Sequence, residues 1–278
     1  MIVPVAEILG QLESLVGQPG VADDYVRLRA AILRAQAIML EELADSPLVP
    51  LVPLAAQGPP RRPAIRPEEL PFDLALGLRL FEGLVAVLRA HRSSNAALDA
   101  WADEVCKRPE EFEELARRAL ATAERPACDD LQRLVSRLLA APFLTHAARR
   151  LSRSPVCERS ESPRCPICGA MPGLASVGED RVRRLHCSLC RHQWQFDRLR
   201  CPFCGLGDGA LVRLGVRGEA DRWIESCPEC HGYVKVTDLA GRSAAPFVPL
   251  VEDAATLCLD MIATGEGCAA KPPYAAVG

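Results

Sequence analysis

Through the first half of the chain, apolar residues return every three or four positions. Tyr25, Leu28, Ile32, Ala35, Met39 and Leu43 keep this step, and so do Leu74, Leu78, Phe81, Val85 and Leu88. Phe112, Leu115 and Ala119 repeat it, followed by Leu131, Leu134 and Leu138. At 3.6 residues per turn such positions share one stripe, so each run predicts an amphipathic helix. Pro109 suits a first helical turn, where its missing N–H would have no partner anyway. The opening MIVPVAEILGQLESL predicts a further amphipathic helix. Amphipathic helices without strand signals between them argue for a bundle. The stretch 46–71 interrupts it with eight prolines, Pro59, Pro60 and Pro63 among them, which exclude a continuous helix or a central strand. Its apolar half, 48–54, is expected to pack in extended form as an ordered connector between helices.

Near residue 155 the pattern changes. The runs RVRRLHC, HQWQFDR, ALVRLGV and YVKVTD are short and mixed, and Gly-containing turns separate them, so they predict strands. Helical spacing returns after Pro249, where Ala255, Leu259 and Ile262 share a face and Gly265 stands at the stop position. The predicted fold class is multidomain α plus small β. An all-α helical domain occupies 1–158, and two tandem ribbon modules follow at 159–200 and 201–243. A C-terminal helix and tail complete the chain at 244–278.

Composition narrows the picture. Hydrophobic residues make up 49% of the 278 and aromatics only 5%, so the core must be built mainly of Leu, Ala and Val. A formal net charge of −3 provides no global field toward phosphate backbones or anionic lipid. No run approaches the length of a membrane span, and the N-terminus lacks a basic region and a small-residue cleavage site. The expected location is therefore the cytoplasm. In that reducing compartment, 13 cysteines point to metal ligands rather than a disulfide framework.

Eight of those cysteines form four C-x-x-C pairs: Cys165/Cys168, Cys187/Cys190, Cys201/Cys204 and Cys227/Cys230. Eighteen residues separate the first pair from the second and 22 the third from the fourth, close to the spacing of zinc ribbons. CPICG recurs as CPFCG, an internal repeat that supports the same division. Gly169 and Gly205 can supply the positive φ that a tight two-cysteine knuckle needs. Two facing knuckles complete a tetrahedral four-sulfur site. A ribbon of about 40 residues buries too little surface to fold unaided, whereas a structural metal contributes about 10–16 kcal/mol. Sequential pairing, first with second and third with fourth, needs only local chain closure. An interleaved arrangement stays open on spacing alone.

Cys106, Cys128, Cys157, Cys258 and Cys268 have no such spacing and read as inert thiols. His186, His192 and His231 lie beside the ribbon cysteines, as exposed groups or behind the ligands. Trp194, Trp223 and Tyr233 are expected to cover the ribbons. A four-thiolate site leaves no coordination position open, so hydrolysis at either ion is not expected. Soft thiolates accept iron or zinc, and only iron would carry an electron. No P-loop, dinucleotide fingerprint, H-E-x-x-H or G-x-S-x-G occurs. The chain reads as a binding and assembly factor, not an enzyme.

Two alternatives compete, a ribbon protein that binds nucleic acid and a rubredoxin-like electron carrier. Residues 161–200 carry a formal +3 and residues 201–240 a formal −2. Four thiolates on a divalent ion bring these to about +1 and −4. That is a poor footprint for phosphate. The cluster Arg181, Arg183, Arg184 keeps the idea alive, although a solvated strand face is its expected use.

The series CPICGAMPGLASV, RRLHCSLCRHQW, DRLRCPFCG and ESCPECHGYVKV resembles the formate dehydrogenase accessory proteins known as FdhE. The resemblance runs over 165–238 and includes Trp194, Arg200 and Tyr233-Val234-Lys235. It implies a helical N-terminal domain, two rubredoxin-like modules and iron at the thiolates. It also implies a cytoplasmic maturation role on the catalytic subunit of respiratory formate dehydrogenases, before or around export by the twin-arginine route. All eight motif cysteines carry over: Cys165, Cys168, Cys187, Cys190, Cys201, Cys204, Cys227 and Cys230.

Overall fold

A computed structural model describes residues 3–43, 63–65, 73–91, 96–108, 111–114, 130–151, 158–207, 209, 211–216, 218–242 and 246–271. The expected connector 48–54, Pro109, Leu115 and Ala119 lie outside these residues. The N-terminal helices are α1 (Val5–Glu13), α2 (Asp23–Glu42), α3 (Leu74–His91), α4 (Ala96–Lys107) and α5 (Asp130–Leu151). The expected stripe of α2 is inward at Ile32 and Met39, joined by Val26, Leu33, Gln36 and Leu40. In α3, Phe81, Val85 and Leu88 are buried as predicted, and Leu74 is 36% exposed at the helix start. The stripe read for α5 is shifted. Leu134 is 37% exposed while Val135 next to it is fully buried. From Leu138 to Ala148 every side of this helix is covered, so no single polar face remains to set a period.

The ribbon region contains β1 (Pro172–Val177), β2 (Arg183–Cys187), β3 (Gln193–Gln195), β4 (Val212–Leu214), β5 (Arg222–Ser226) and β6 (Tyr233–Asp238). They form one six-stranded sheet in the order β3-β2-β1-β6-β5-β4. Within each half the pairing is antiparallel. The halves join through β1 and β6, which run parallel with Leu174 opposite Lys235 and Val177 opposite Asp238. The internal repeat of the sequence thus becomes a translation along one sheet: β4, β5 and β6 repeat β1, β2 and β3.

Two segments close the C-terminal end, α6 (Pro249–Ala255) and α7 (Leu257–Gly265). The expected single helix is broken at Thr256, whose φ of −113° and ψ of 27° leave the helical region. Val248 and Ala254 pack with Ile8, Leu12, Val26 and Leu33 of α1 and α2. Leu259 and Ala263 pack with Ile224 and Tyr233 of the sheet. No helix among the described residues is long and apolar enough to cross a membrane.

Charges hold this end in place. Lys235 on β6 is 3% exposed and reaches Asp253 and Asp260 at 2.7 Å each. Tyr233 donates to Asp260 at 2.8 Å, and Asp253 also receives Tyr25 and faces Arg29 of α2. Burial alone would raise the pKa of Asp253, but Lys235 and Arg29 hold it below the ordinary carboxylate value of 3.8. A carboxylate held low stabilises the fold above its unfolded pKa, and that contribution disappears as pH falls through the folded value. Lys235→Met should therefore cost about 3 kcal/mol at neutral pH, since it strands partly exposed carboxylates. The deficit relative to the natural chain should shrink below pH 3.8 in urea titrations. A constant deficit across that range would assign the loss to packing instead.

Candidate metal centres

All four C-x-x-C pairs fold into the same local turn. The N–H of the first cysteine donates to the carbonyl five residues on: Cys165 to Ala170, Cys187 to His192, Cys201 to Leu206 and Cys227 to Gly232, at 2.7–2.9 Å. The residue after each second cysteine has positive φ: Gly169 at 75°, Arg191 at 61°, Gly205 at 77° and His231 at 54°. Sequence reasoning marked the two glycines and missed Arg191 and His231. For a residue with a Cβ this conformation costs roughly 1–2 kcal/mol. Position was the available signal, because both directly follow a C-x-x-C.

These turns bring the eight cysteines together in two sets, Cys165/Cys168/Cys187/Cys190 and Cys201/Cys204/Cys227/Cys230, with all sulfurs in a set within 4.8 Å of one another. The sets follow chain order, and interleaving is not seen. Cys165 Sγ lies 3.5 Å from Cys190 Sγ, and Cys168 Sγ 3.5 Å from Cys187 Sγ. In the second set, Cys201–Cys230 is 3.8 Å and Cys204–Cys227 is 3.6 Å. A tetrahedron with metal–sulfur bonds of about 2.3 Å has edges of about 3.8 Å. The donor sets therefore fit a four-thiolate ion. Backbone donors already point at the sulfurs: Leu189 and Cys190 N–H at Cys187 Sγ, and Phe203 N–H at Cys201 Sγ, each at 3.4 Å.

Without an ion, four close sulfurs cannot all be charged. Burial would raise Cys187, but hydrogen bonds from Cys165, Cys168, Cys190 and the Leu189 N–H hold it well below the ordinary thiol value. Burial and the neighbouring sulfurs push Cys165 and Cys190 well above it. A cation that compensates four thiolates must displace these protons on binding.

The groups around the centres settle largely as the sequence reading has them, Arg183 excepted. Trp194 and Trp223 are buried, and Tyr233 is nearly so. Of the two placements expected for them, His186 and His192 take the buried one. Desolvation lowers His186 to about pKa 3, and its Nε2 meets Ser176 Oγ at 2.8 Å. His231 is exposed, and no histidine joins either sulfur set among the described residues. The arginine cluster is dispersed. Arg181 pairs with Asp238 and Arg184 with Asp180. Arg183 is no surface residue: its side chain is fully buried, lies 3.3 Å from Glu225 of β5 and donates to the Arg200 carbonyl at 3.1 Å. It ties the first half of the sheet to the second.

Comparison with known proteins places this geometry. The family description "FdhE, central domain" matches residues 164–198, the stretch containing the first sulfur set. A "Protein FdhE homolog" of Shewanella oneidensis is 40% identical over 108 residues, 37% of this chain and 34% of that protein. Against that relative the chain thus matches about a third of its length. A "Protein FdhE homolog" of Pseudomonas aeruginosa is 32% identical over 273 residues, 90% of this chain and 82% of that one. The chain belongs to the FdhE family. The crystal structure of the FdhE protein from P. aeruginosa matches with a TM-score of 0.66 at 26% identity, over 97% of this chain and 94% of that one. The helical N-terminal part, the sheet carrying two four-cysteine sets and the C-terminal helices therefore form an FdhE architecture.

Two coverings of the FdhE sulfur sets had no sequence signal. Ala64 and Ile65 N–H donate to the carbonyls of Pro166 and Ile167 at 3.0 and 2.8 Å, laying residues 64 and 65 of the proline-rich stretch across the first knuckle. At the other end, Ala269 N–H donates to the His231 carbonyl and Lys271 Nζ to the Cys230 carbonyl, both at 2.8 Å. The contacts join residues 38 to 102 positions apart, so local pattern could not announce them.

Proposed function

We propose that this chain is an accessory factor that binds the catalytic subunit of a respiratory formate dehydrogenase in the cytoplasm and assists its assembly. It does so as a binding protein, not as an enzyme. Cys165, Cys168, Cys187 and Cys190 hold one metal ion, and Cys201, Cys204, Cys227 and Cys230 hold a second. Either ion is iron or zinc. Bound there, the ion supplies a cross-link between knuckles and, if iron, a one-electron centre. Residues 1–158 supply a helical docking body, 159–200 and 201–243 the two ribbons, and 244–278 the closing helices.

The observation that carries this reading is family membership over nine-tenths of the chain, together with two sulfur sets of tetrahedral size. A closed four-thiolate cage has no vacant position for substrate, which favours assembly over catalysis. The burial of Arg183 and the pairing of Arg181 and Arg184 with carboxylates weigh against nucleic acid as the partner. The test is capture of an unexported formate dehydrogenase catalytic subunit by the tagged, metal-loaded chain. Saturable binding, absent with an unrelated twin-arginine precursor, is expected. No binding to the formate dehydrogenase subunit would overturn the proposal.

A further inference from the structure

The two sulfur sets are chemically alike but not equally sheltered. Cys165, Cys168, Cys187 and Cys190 are each at most 5% exposed. In the second set, Cys201 and Cys227 are buried, while Cys204 and Cys230 are part-exposed. One cysteine of each second-set knuckle is therefore within reach of solvent. The first set is enclosed from several directions. Residues 64 and 65 bond across its first knuckle, and Ser188 Oγ ties its second to the Met171 carbonyl at 2.8 Å. All four of its cysteines are buried members of one apolar cluster with Met39, Leu84, Leu139 and Leu144 of the helices, whereas of the second set only Cys201 and Cys227 are.

The second set has less over it. Leu206 beside Cys204 is 37% exposed, and β4, the outermost strand on this side, has Val212 at 48%. Among the described residues, the second set is covered by the tail at 269–271 and by Arg200, whose Nε donates to the Gly205 carbonyl at 3.4 Å. That tail sits close: a Cβ on Gly232 would lie 2.8 Å from Phe203 and 2.9 Å from Lys271. It bonds the backbone of Cys230 and His231 but leaves Cys230 part-exposed.

We propose that the two centres have divided roles: the first is a permanent structural ion, and the second exchanges its metal with external thiolate ligands. An incoming thiolate forms a bond to the second ion as the bond to Cys204 or Cys230 breaks. The displaced cysteine sulfur leaves as thiolate or takes a proton from water, and no oxidation state changes. Metal lability follows solvent access to the ligand shell, and thiol reactivity follows exposure in the same way. This inference rests on the proposal that both sulfur sets bind metal.

The test uses the full zinc-loaded chain with a chromogenic chelator, and cysteine alkylation mapped by mass spectrometry. One equivalent should leave at least about tenfold faster than the other, a gap of the size that changes in a ligand's surroundings produce. Alkylation during the fast phase should mark Cys204 and Cys230 before any cysteine of the first set. Lys271→Ala, which removes the hydrogen bond to the Cys230 carbonyl but no sulfur ligand, should quicken the fast phase and leave the slow one unchanged. A single release rate for both equivalents, or first-set cysteines labelled first, would overturn the division of roles. A chain that takes up no zinc would instead refute metal binding itself, so the two failures are told apart.

Discussion

Cys168→Ser is expected to abolish the cooperative thermal transition of the whole chain, helices included. The first centre loses a thiolate that a neutral hydroxyl cannot replace. Structural ions of this kind contribute about 10–16 kcal/mol in isolated finger peptides, while entire domains are stable by about 5–15. The loss cannot be absorbed locally. Both sulfur sets touch the apolar core of Phe81, Leu84, Trp101 and Leu144 of α3, α4 and α5, but all four first-set cysteines are buried within it, whereas Cys204 and Cys230 pack against it as part-exposed residues. Removing the ion therefore opens the wall against which those helices pack. The matched substitution at a part-exposed ligand, Cys204→Ser, should release one equivalent of metal while the helical transition persists. Circular dichroism melts of the two variants check this. A Cys168→Ser protein that melts like the natural chain would show that the first centre is not a keystone.

The second large effect is expected at Arg183. Its fully buried guanidinium crosses from β2 to Glu225, which is 12% exposed, and stacks 6.0 Å from the Phe196 ring. Burial pulls its pKa below the ordinary arginine value, and Glu225 and the nearby Cys201 sulfur push back. Arg183→Ala would strand Glu225 in a covered site, at a cost of about 3–5 kcal/mol. Because the stranded charge is the larger part of that cost, Glu225→Gln in the same chain should recover a share of it. Urea unfolding of both single variants and the double variant closes the cycle. A loss under about 1 kcal/mol for Arg183→Ala would place the arginine outside the folding core, in the range of exposed pairs.

These expectations mark where sequence pattern ends. The stripes of α2 and α3 were legible because each helix has one wet side. That of α5 was misplaced by one position, since Leu138 to Ala148 is covered all round. α4 carries a readable spacing in Leu98, Trp101, Ala102 and Val105, but over only 12 residues. The strand β1 was hidden because it lies in the sheet interior, and PGLASV, buried at five of six positions, has no alternation. The eight sulfurs were the most legible feature, because knuckle geometry is a local property of C-x-x-C and its flanks. What joined the ribbons was not local. The β1–β6 pairing links residues about 60 apart in sequence, and Lys235 reads as an outward strand charge until Asp253 and Asp260 arrive from α6 and α7. Arg183 misled for the same reason: its partner belongs to the other half of the repeat.

The most direct measurement is native mass spectrometry with elemental analysis on the chain purified without oxygen. Two equivalents of metal per chain are expected, iron giving a coloured protein and zinc a colourless one, with eight cysteines protected from alkylation. A fully folded preparation that holds less than one equivalent, with Cys165 and its three partners open to alkylation, would contradict the account.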